Sequence, residues 1–240
     1  MIGRTPAIVL ALGLLASCSG GGPGGPSGRL DSAFAANVAR TLDDTAGVVV
    51  EQRDGSYLVG GGFTTPSHSL ARFDADGRLD ESFANNVART LDKAVYAIAL
   101  QPDGKILVGG YFTAPSGRLA RFNADGTPDT SFNDTIGDLL DGGVVSIHVL
   151  DDGSILVGGQ FTSPSNSLAR FDADGRPDSA FNARVGNAIN LAVGAVDVQS
   201  DGKIVVGGAF TTPSHGLARF GPDGSQDDAF NAVVGSSIKG

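Results

Sequence analysis

Four arginines stand 49 residues apart at Arg72, Arg121, Arg170 and Arg219. Each is followed eight positions later by an aspartate, at Asp80, Asp129, Asp178 and Asp227. A guanidinium and a carboxylate at fixed spacing can orient a charged substrate or staple two strands. Catalytic arginines seldom come four times over, so a pair made in every unit reads as a structural device. With Gly77 left-handed in a three-residue turn, Arg72 faces Asp80 directly across two antiparallel strands. Opposite charges so placed contribute about 0.2–1 kcal/mol. All four pairs are expected to be staples within their own units. A fifth aspartate of the series, Asp31, has no arginine of its own. It is expected to face Arg219, tying the N-terminal strand to the last unit; otherwise Leu30–Phe34 pairs with another molecule's edge.

Other chemistry-bearing residues form no reacting set. His68 and His215 share one loop position in different units, and His148 lies in a strand column with Val50, Ala99 and Asp197. That distribution offers neither a Ser/His/Asp arrangement nor a histidine metal site. The Asp74-Ala75-Asp76-Gly77-x-x-Asp80 spacing leaves Ca2+ open as a cofactor, but it lacks the fuller calcium-loop pattern and its bidentate Glu. Asp and Gly are also what tight turns require. Glu51 is the one acid in a column otherwise holding Leu100, Val149 and Val198. No metal site and no catalytic residue is expected. A net charge of −9 excludes nucleic acid as a natural partner.

The elements that position these residues repeat without an insertion. Phe63, Phe112, Phe161 and Phe210 each follow a Val-Gly-Gly-x string, and Leu-Ala-Arg-Phe recurs at 70–73, 119–122, 168–171 and 217–220. Each unit predicts four strands. In the second unit the first three are Val95–Gln101, Lys105–Phe112 and Leu119–Phe122. The fourth is short, and in the first unit it covers Leu79–Phe83. Asp-Gly pairs such as Asp103-Gly104 turn the first hairpin. The paired glycines Gly109-Gly110 mark a close backbone approach or a bulge. Four antiparallel strands per unit at this period predict an all-β fold, a β-propeller of four 49-residue blades. An open β-repeat array that closes by oligomerisation is the alternative.

The string Gln101-Pro-Asp-Gly-Lys-Ile-Leu-Val-Gly-Gly-Tyr-Phe112, then Leu119-Ala-Arg-Phe-Asn-Ala-Asp-Gly126 and Asp129-Thr-Ser-Phe132, resembles the delta-60 repeat. That resemblance covers residue 28 to the end and implies a bacterial β-propeller with no established activity. The last copy departs from it, with Gly221-Pro222-Asp223-Gly224 where the others have Asp/Asn-Ala-Asp-Gly.

Residues 1–17 read as a signal peptide: a basic start at Arg4, then a mostly apolar Pro6–Ser17, too short to span a bilayer as a helix. Leu15-Ala16-Ser17-Cys18 resembles a bacterial lipobox, which implies lipidation of Cys18, the one cysteine. Ser19 after it implies the outer membrane. Residues 18–28 then form a Gly/Pro/Ser tether with a reach of roughly 17 Å, and 29–240 the repeat domain. Between copies the framework is constant and the loops vary. The position before the framework Phe reads Gly62, Tyr111, Gln160 and Ala209. Tyr111, Gln160, His68 and His215 are therefore the candidate binding residues. An exported, lipid-anchored binding or scaffolding module at the cell envelope follows, with a protein or glycan partner and self-association left open. A propeller hydrolase or lyase with a channel-centred site, and a structural product without a ligand, are the alternatives.

Overall fold

A computed structural model describes residues 31–237. The signal segment, Cys18 and the tether lie outside the described residues.

The Asp-Gly pairs turn the chain back as expected, with Gly55, Gly104, Gly153 and Gly202 at φ between 80° and 86°. Each unit then builds one antiparallel three-stranded sheet. The first is β1 (Ala46–Glu51), β2 (Tyr57–Gly61) and β3 (Leu70–Phe73); the second is β4 (Val95–Leu100), β5 (Ile106–Gly110) and β6 (Leu119–Phe122). The third is β7 (Val144–Val149), β8 (Ile155–Gly159) and β9 (Leu168–Phe171); the fourth is β10 (Val193–Val198), β11 (Ile204–Gly208) and β12 (Leu217–Phe220).

The expected fourth strand is corrected to a single bridge followed by a helix. Phe73 pairs with Leu79 alone, and Asp80 then caps α2 (Glu81–Val87) by accepting from the Phe83 N–H. An extended aspartate with its side chain on the third following amide starts a helix rather than continuing a strand. The same cap opens α3 (Thr130–Ile136) at Asp129 and α4 (Ser179–Val185) at Asp178, and Asp227 precedes α5 (Asp228–Ser237). An equivalent helix, α1 (Ser32–Ala39), precedes the first blade, capped by Asp31.

First strands pack on one another, β1 on β4, β4 on β7 and β7 on β10, so they form the inner edge and the Leu-Ala-Arg-Phe strands the outer one. Between each pair of sheets lies a core made by both. Leu58 and Leu70 of the first blade meet Val95, Ile98, Val108 and Phe122 of the second, with Phe83, Val87 and Leu91 from the connecting segment. The two later junctions repeat this set. No packing of similar extent joins β10 to β1 among the described residues, so the blades form an open array.

Candidate binding surface

The invariant arginines hold neighbouring blades together as well as their own. Arg72 donates through Nε and Nη2 to Asp80, and Arg170 does so to Asp178. Arg121 and Arg219 reach Asp129 and Asp227 at 2.9 Å. In the first three blades Nη1 extends to the next blade, bonding the carbonyls of Ala124, Ala173 and Pro222. Each guanidinium also lies 4.2–4.6 Å from the ring of Phe83, Phe132, Phe181 or Phe230. The expected intrablade staple is thus an interblade clamp as well, and its acid is a helix cap rather than a strand residue. Burial pushes the Asp80 carboxyl up, but the Phe83 N–H and Arg72 outweigh it and hold the group below its ordinary value.

A second device shapes the loops that face solvent. Asp43, Asp92 and Asp141 each accept from the hydroxyl and amide of a threonine 21 residues on, Thr64, Thr113 and Thr162. Asn190 holds Thr211 without a charge, accepting from its amide and donating to its hydroxyl. The Thr64 hydroxyl and the Thr65 N–H draw the Asp43 carboxyl down to about 2. A carboxyl held this low stabilises the fold above its unfolded value of about 4, and the contribution fades as pH falls through about 2. Replacing Asp43, Asp92 and Asp141 together with Asn is expected to leave a folded protein whose stability falls less steeply between these pH values. Chemical denaturation across that range measures it.

These loops share one end of the array with a β-bulge. In every blade the register slips after the first residue of the inner strand, leaving Gly47, Tyr96, Val145 and Gly194 unpaired. A bulge re-aims its extra side chain. Tyr96 projects to solvent, 49 % exposed, and meets the ring of Tyr111 edge-on at 5.6 Å. The Tyr111 hydroxyl donates to Gln160 Oε1 at 2.6 Å, across the junction of the second and third blades. Two of the four candidate residues, Tyr111 and Gln160, therefore touch. His68 and His215 stand on the first and last blades, and neither imidazole has a hydrogen-bond partner among the described residues. Tyr96 is the candidate residue that sequence reasoning misses: nothing in its column singles it out, and the bulge places it beside Tyr111.

At the opposite end, where the Asp-Gly turns lie, a cavity of about 440 Å³ opens between the inner strands of the first three blades. Leu100, Val149 and Leu150 line it, with Gln52, Arg53, Asp54, Gln101 and Asp151 as its polar groups. No group of three or more His, Cys, Asp or Glu placed to hold a metal ion occurs among the described residues. In the acidic turn, Asp74 accepts from the amides of Asp76 and Arg78, Asp76 pairs with Arg78, and Asp80 is held by Arg72. Glu51 is exposed at the end of β1.

Residues 52–83, 101–132, 150–181 and 199–230 match a β-propeller family described as a domain of unknown function, DUF5122. The chain belongs to that family. Each matched segment runs from the end of an inner strand through the Leu-Ala-Arg-Phe strand to the phenylalanine under the arginine, so each contains one arginine, its aspartate and its phenylalanine. No curated protein matches the chain. Among solved structures it is similar to the extracellular domain of the one-component system BT4673 from B. thetaiotaomicron (14 % identity, TM-score 0.47, 74 % of this chain and 21 % of that one). It is also similar to PorZ, a surface component of the type-IX secretion system of Porphyromonas gingivalis (13 %, 0.44, 77 % and 27 %). The WD40 β-propeller domain of Doa1 is a third (16 %, 0.45, 74 % and 49 %). The chain thus spans between about a fifth and a half of these proteins' lengths.

Proposed function

We propose that this DUF5122 propeller is an exported, lipid-anchored binding module that presents its bulge end to a protein or glycan at the cell envelope. The observation that carries the reading is the Tyr96–Tyr111–Gln160 group. It sets a half-exposed aromatic ring beside a phenol and an amide, on positions that vary while the framework around them stays constant. Aromatic rings with a polar tip supply contact area and hydrogen bonding together, which suits recognition. The reading gives the chain no reaction, since its histidines stand on three different blades. Kinship with the delta-60 repeats, lipidation at Cys18 and an outer-membrane address belong to the same proposal, the last two resting on the lipobox and Ser19.

The test is capture from separated envelope protein and glycan fractions by the chain and by a Tyr96→Ala, Tyr111→Ala double variant. One fraction is expected to be retained by the parent and lost by the variant, while both unfold at similar temperatures. Cys18→Ser is expected to move the same capture activity from the membrane to the soluble fraction. Equal capture by parent and double variant overturns the site, and membrane retention of Cys18→Ser overturns the anchor.

A further inference from the structure

The repeat brings five equivalent helices to four equivalent seats. On each blade the outer turn carries a left-handed glycine, and a phenylalanine from the preceding helix lies against it. Phe83 sits at Gly126, Phe132 at Gly175 and Phe181 at Gly224. On the first blade the seat at Gly77 is taken by Phe34 of α1, whose Asn37 bonds the Asp76 carbonyl as Asn86 bonds that of Asp125. The expectation that Asp31 meets Arg219 is therefore corrected: Asp31 caps α1, and α1 docks on the first blade. Helix α5 is left with no seat among the described residues. Its Val234 is only partly buried, whereas Val38, Val87, Ile136 and Val185 of the same column are buried. Arg219 Nη1 bonds Gln199, as Arg121 Nη1 bonds Gln101, but lacks among the described residues the forward bond that Arg121 adds.

The sheet face beside α5 is open in the same way. A Cβ at Gly60 would strike Val95, at Gly109 Val144 and at Gly158 Val193, each within 2.7 Å, because the next blade's inner strand crosses there. Gly207 occupies the same column, and a Cβ on it would meet only the Gly216 carbonyl at 3.8 Å. None of these four glycines has a positive φ, so close approach of a neighbouring blade is what the residue serves. Val205 and Leu217 on this face are half-buried, where Leu58, Leu107, Leu156 and Leu70, Leu119, Leu168 are fully buried.

We infer that a second copy of this chain covers the face, joining head to tail. The last blade and α5 of one copy dock on the first blade of the next, with α5 displacing α1 from Gly77. What covers the face is written in the three internal junctions, whose two sides the first and last described blades reproduce. Gly207 meets Ala46 and Val49 in place of Val95 and Ile98, and Arg219 gains the Ala75 carbonyl in place of Ala124. Helix α1 has no such arginine among the described residues, so α5 holds the seat with one contact more. Such a join is heterologous, giving a ring where the rotation closes and a filament where it does not. Two acids restrain it: Glu51 on the receiving face and Asp197 on the incoming one stand where the internal junctions place apolar residues and His148.

The test uses the full chain carrying Cys18→Ser, in which no native thiol remains. Ala46→Cys is placed in one batch and Gly207→Cys in another. At internal junctions the corresponding Cβ positions lie 3.1 and 3.4 Å apart, close to disulfide range. Mixing and oxidising the batches is expected to give a mixed disulfide far in excess of either homotypic one. Its rate is expected to rise several-fold with Phe34→Ala on the Ala46→Cys chain, which loosens α1, and with Glu51→Leu. It is expected to fall several-fold with Phe230→Ala on the Gly207→Cys chain. A mixed product no more abundant than the homotypic ones overturns the join. A chain bearing both cysteines that cross-links as a monomer overturns the second copy in favour of closure within one chain.

Discussion

Arg121→Ala is expected to cost about 3 kcal/mol of stability, which for a domain of this size lowers the midpoint of thermal unfolding by roughly 6–12 °C. The side chain is 7 % exposed and Asp129 11 %, so the deletion leaves a carboxylate largely shielded from water. Lys105 also reaches Asp129, at 2.9 Å, and keeps the loss from being larger. The deletion further removes the bond to the Ala173 carbonyl and the cation over Phe132, both of which tie the second blade to the third. Arg121→Lys restores the charge but not the planar fork that serves Asp129 and Ala173 at once, so it is expected to recover little. Arg219→Ala provides the contrast. Its guanidinium makes no forward bond among the described residues, and its loss is expected to be clearly smaller when both variants are unfolded side by side. Equal losses would mean that the interblade contact contributes nothing.

That comparison also marks where reading the residues alone reached its limit. The facing of Arg72 and Asp80 follows from one turn and its glycine, and the Asp80 N–H does bond the Arg72 carbonyl as that register requires. The third contact of the arginine spans 52 residues and depends on how blades stack, which no local pattern encodes. The Asp-x-x-Phe element misled for a different reason. The seven residues of α2, α3 and α4 hold too few turns for helical periodicity to show, and Ser-Ala-Phe-Asn-Ala-Arg-Val is no strong helix former. The cap itself was the usable signal, since Asp80, Asp129 and Asp178 recur just ahead of each helix. The Asp43, Asp92, Asp141, Asn190 column, always 21 residues before a threonine, was equally visible. An acid or amide at one fixed place in loops otherwise free to vary is what a backbone anchor requires.

The four sheets and the period of 49 were legible because both rest on local chemistry: Asp-Gly turns and short apolar strands. The candidate surface was legible in part. Variation at position 111 singled out Tyr111 and Gln160, while Tyr96 depended on a bulge that the paired glycines signalled without saying which residue it would expel. The bulge reading holds for one member, whereas the other makes room for side chains of the next blade rather than for its backbone. Gly109 admits Val144 of the next blade, and Gly110 lies against the carbonyl of Ala94 at the bulge. Framework and candidate site therefore share a device, since the slip that ends the inner hairpin also turns Tyr96 outward.

Gly110→Ala tests that coupling. A Cβ at Gly110 would overlap the Ala94 carbonyl and stand 2.9 Å from the Phe112 ring. Neither neighbour is the free end of a flexible chain, so the inner strand must shift, and a loss of about 3 kcal/mol is expected on unfolding. Because Ala94 leads directly into the bulge, the shift re-aims Tyr96 away from Tyr111. Partner capture is then expected to fall even at temperatures where the variant remains folded. Gly62→Ala, in the same loop of the first blade, is the control: nothing lies within 4 Å of its Cβ position, and stability is expected to stay within about 0.5 kcal/mol. A Gly110→Ala protein that unfolds like the parent would show that the bulge relaxes freely. A destabilised one that captures its partner normally would separate the aromatic pair from the bulge and leave the binding surface elsewhere.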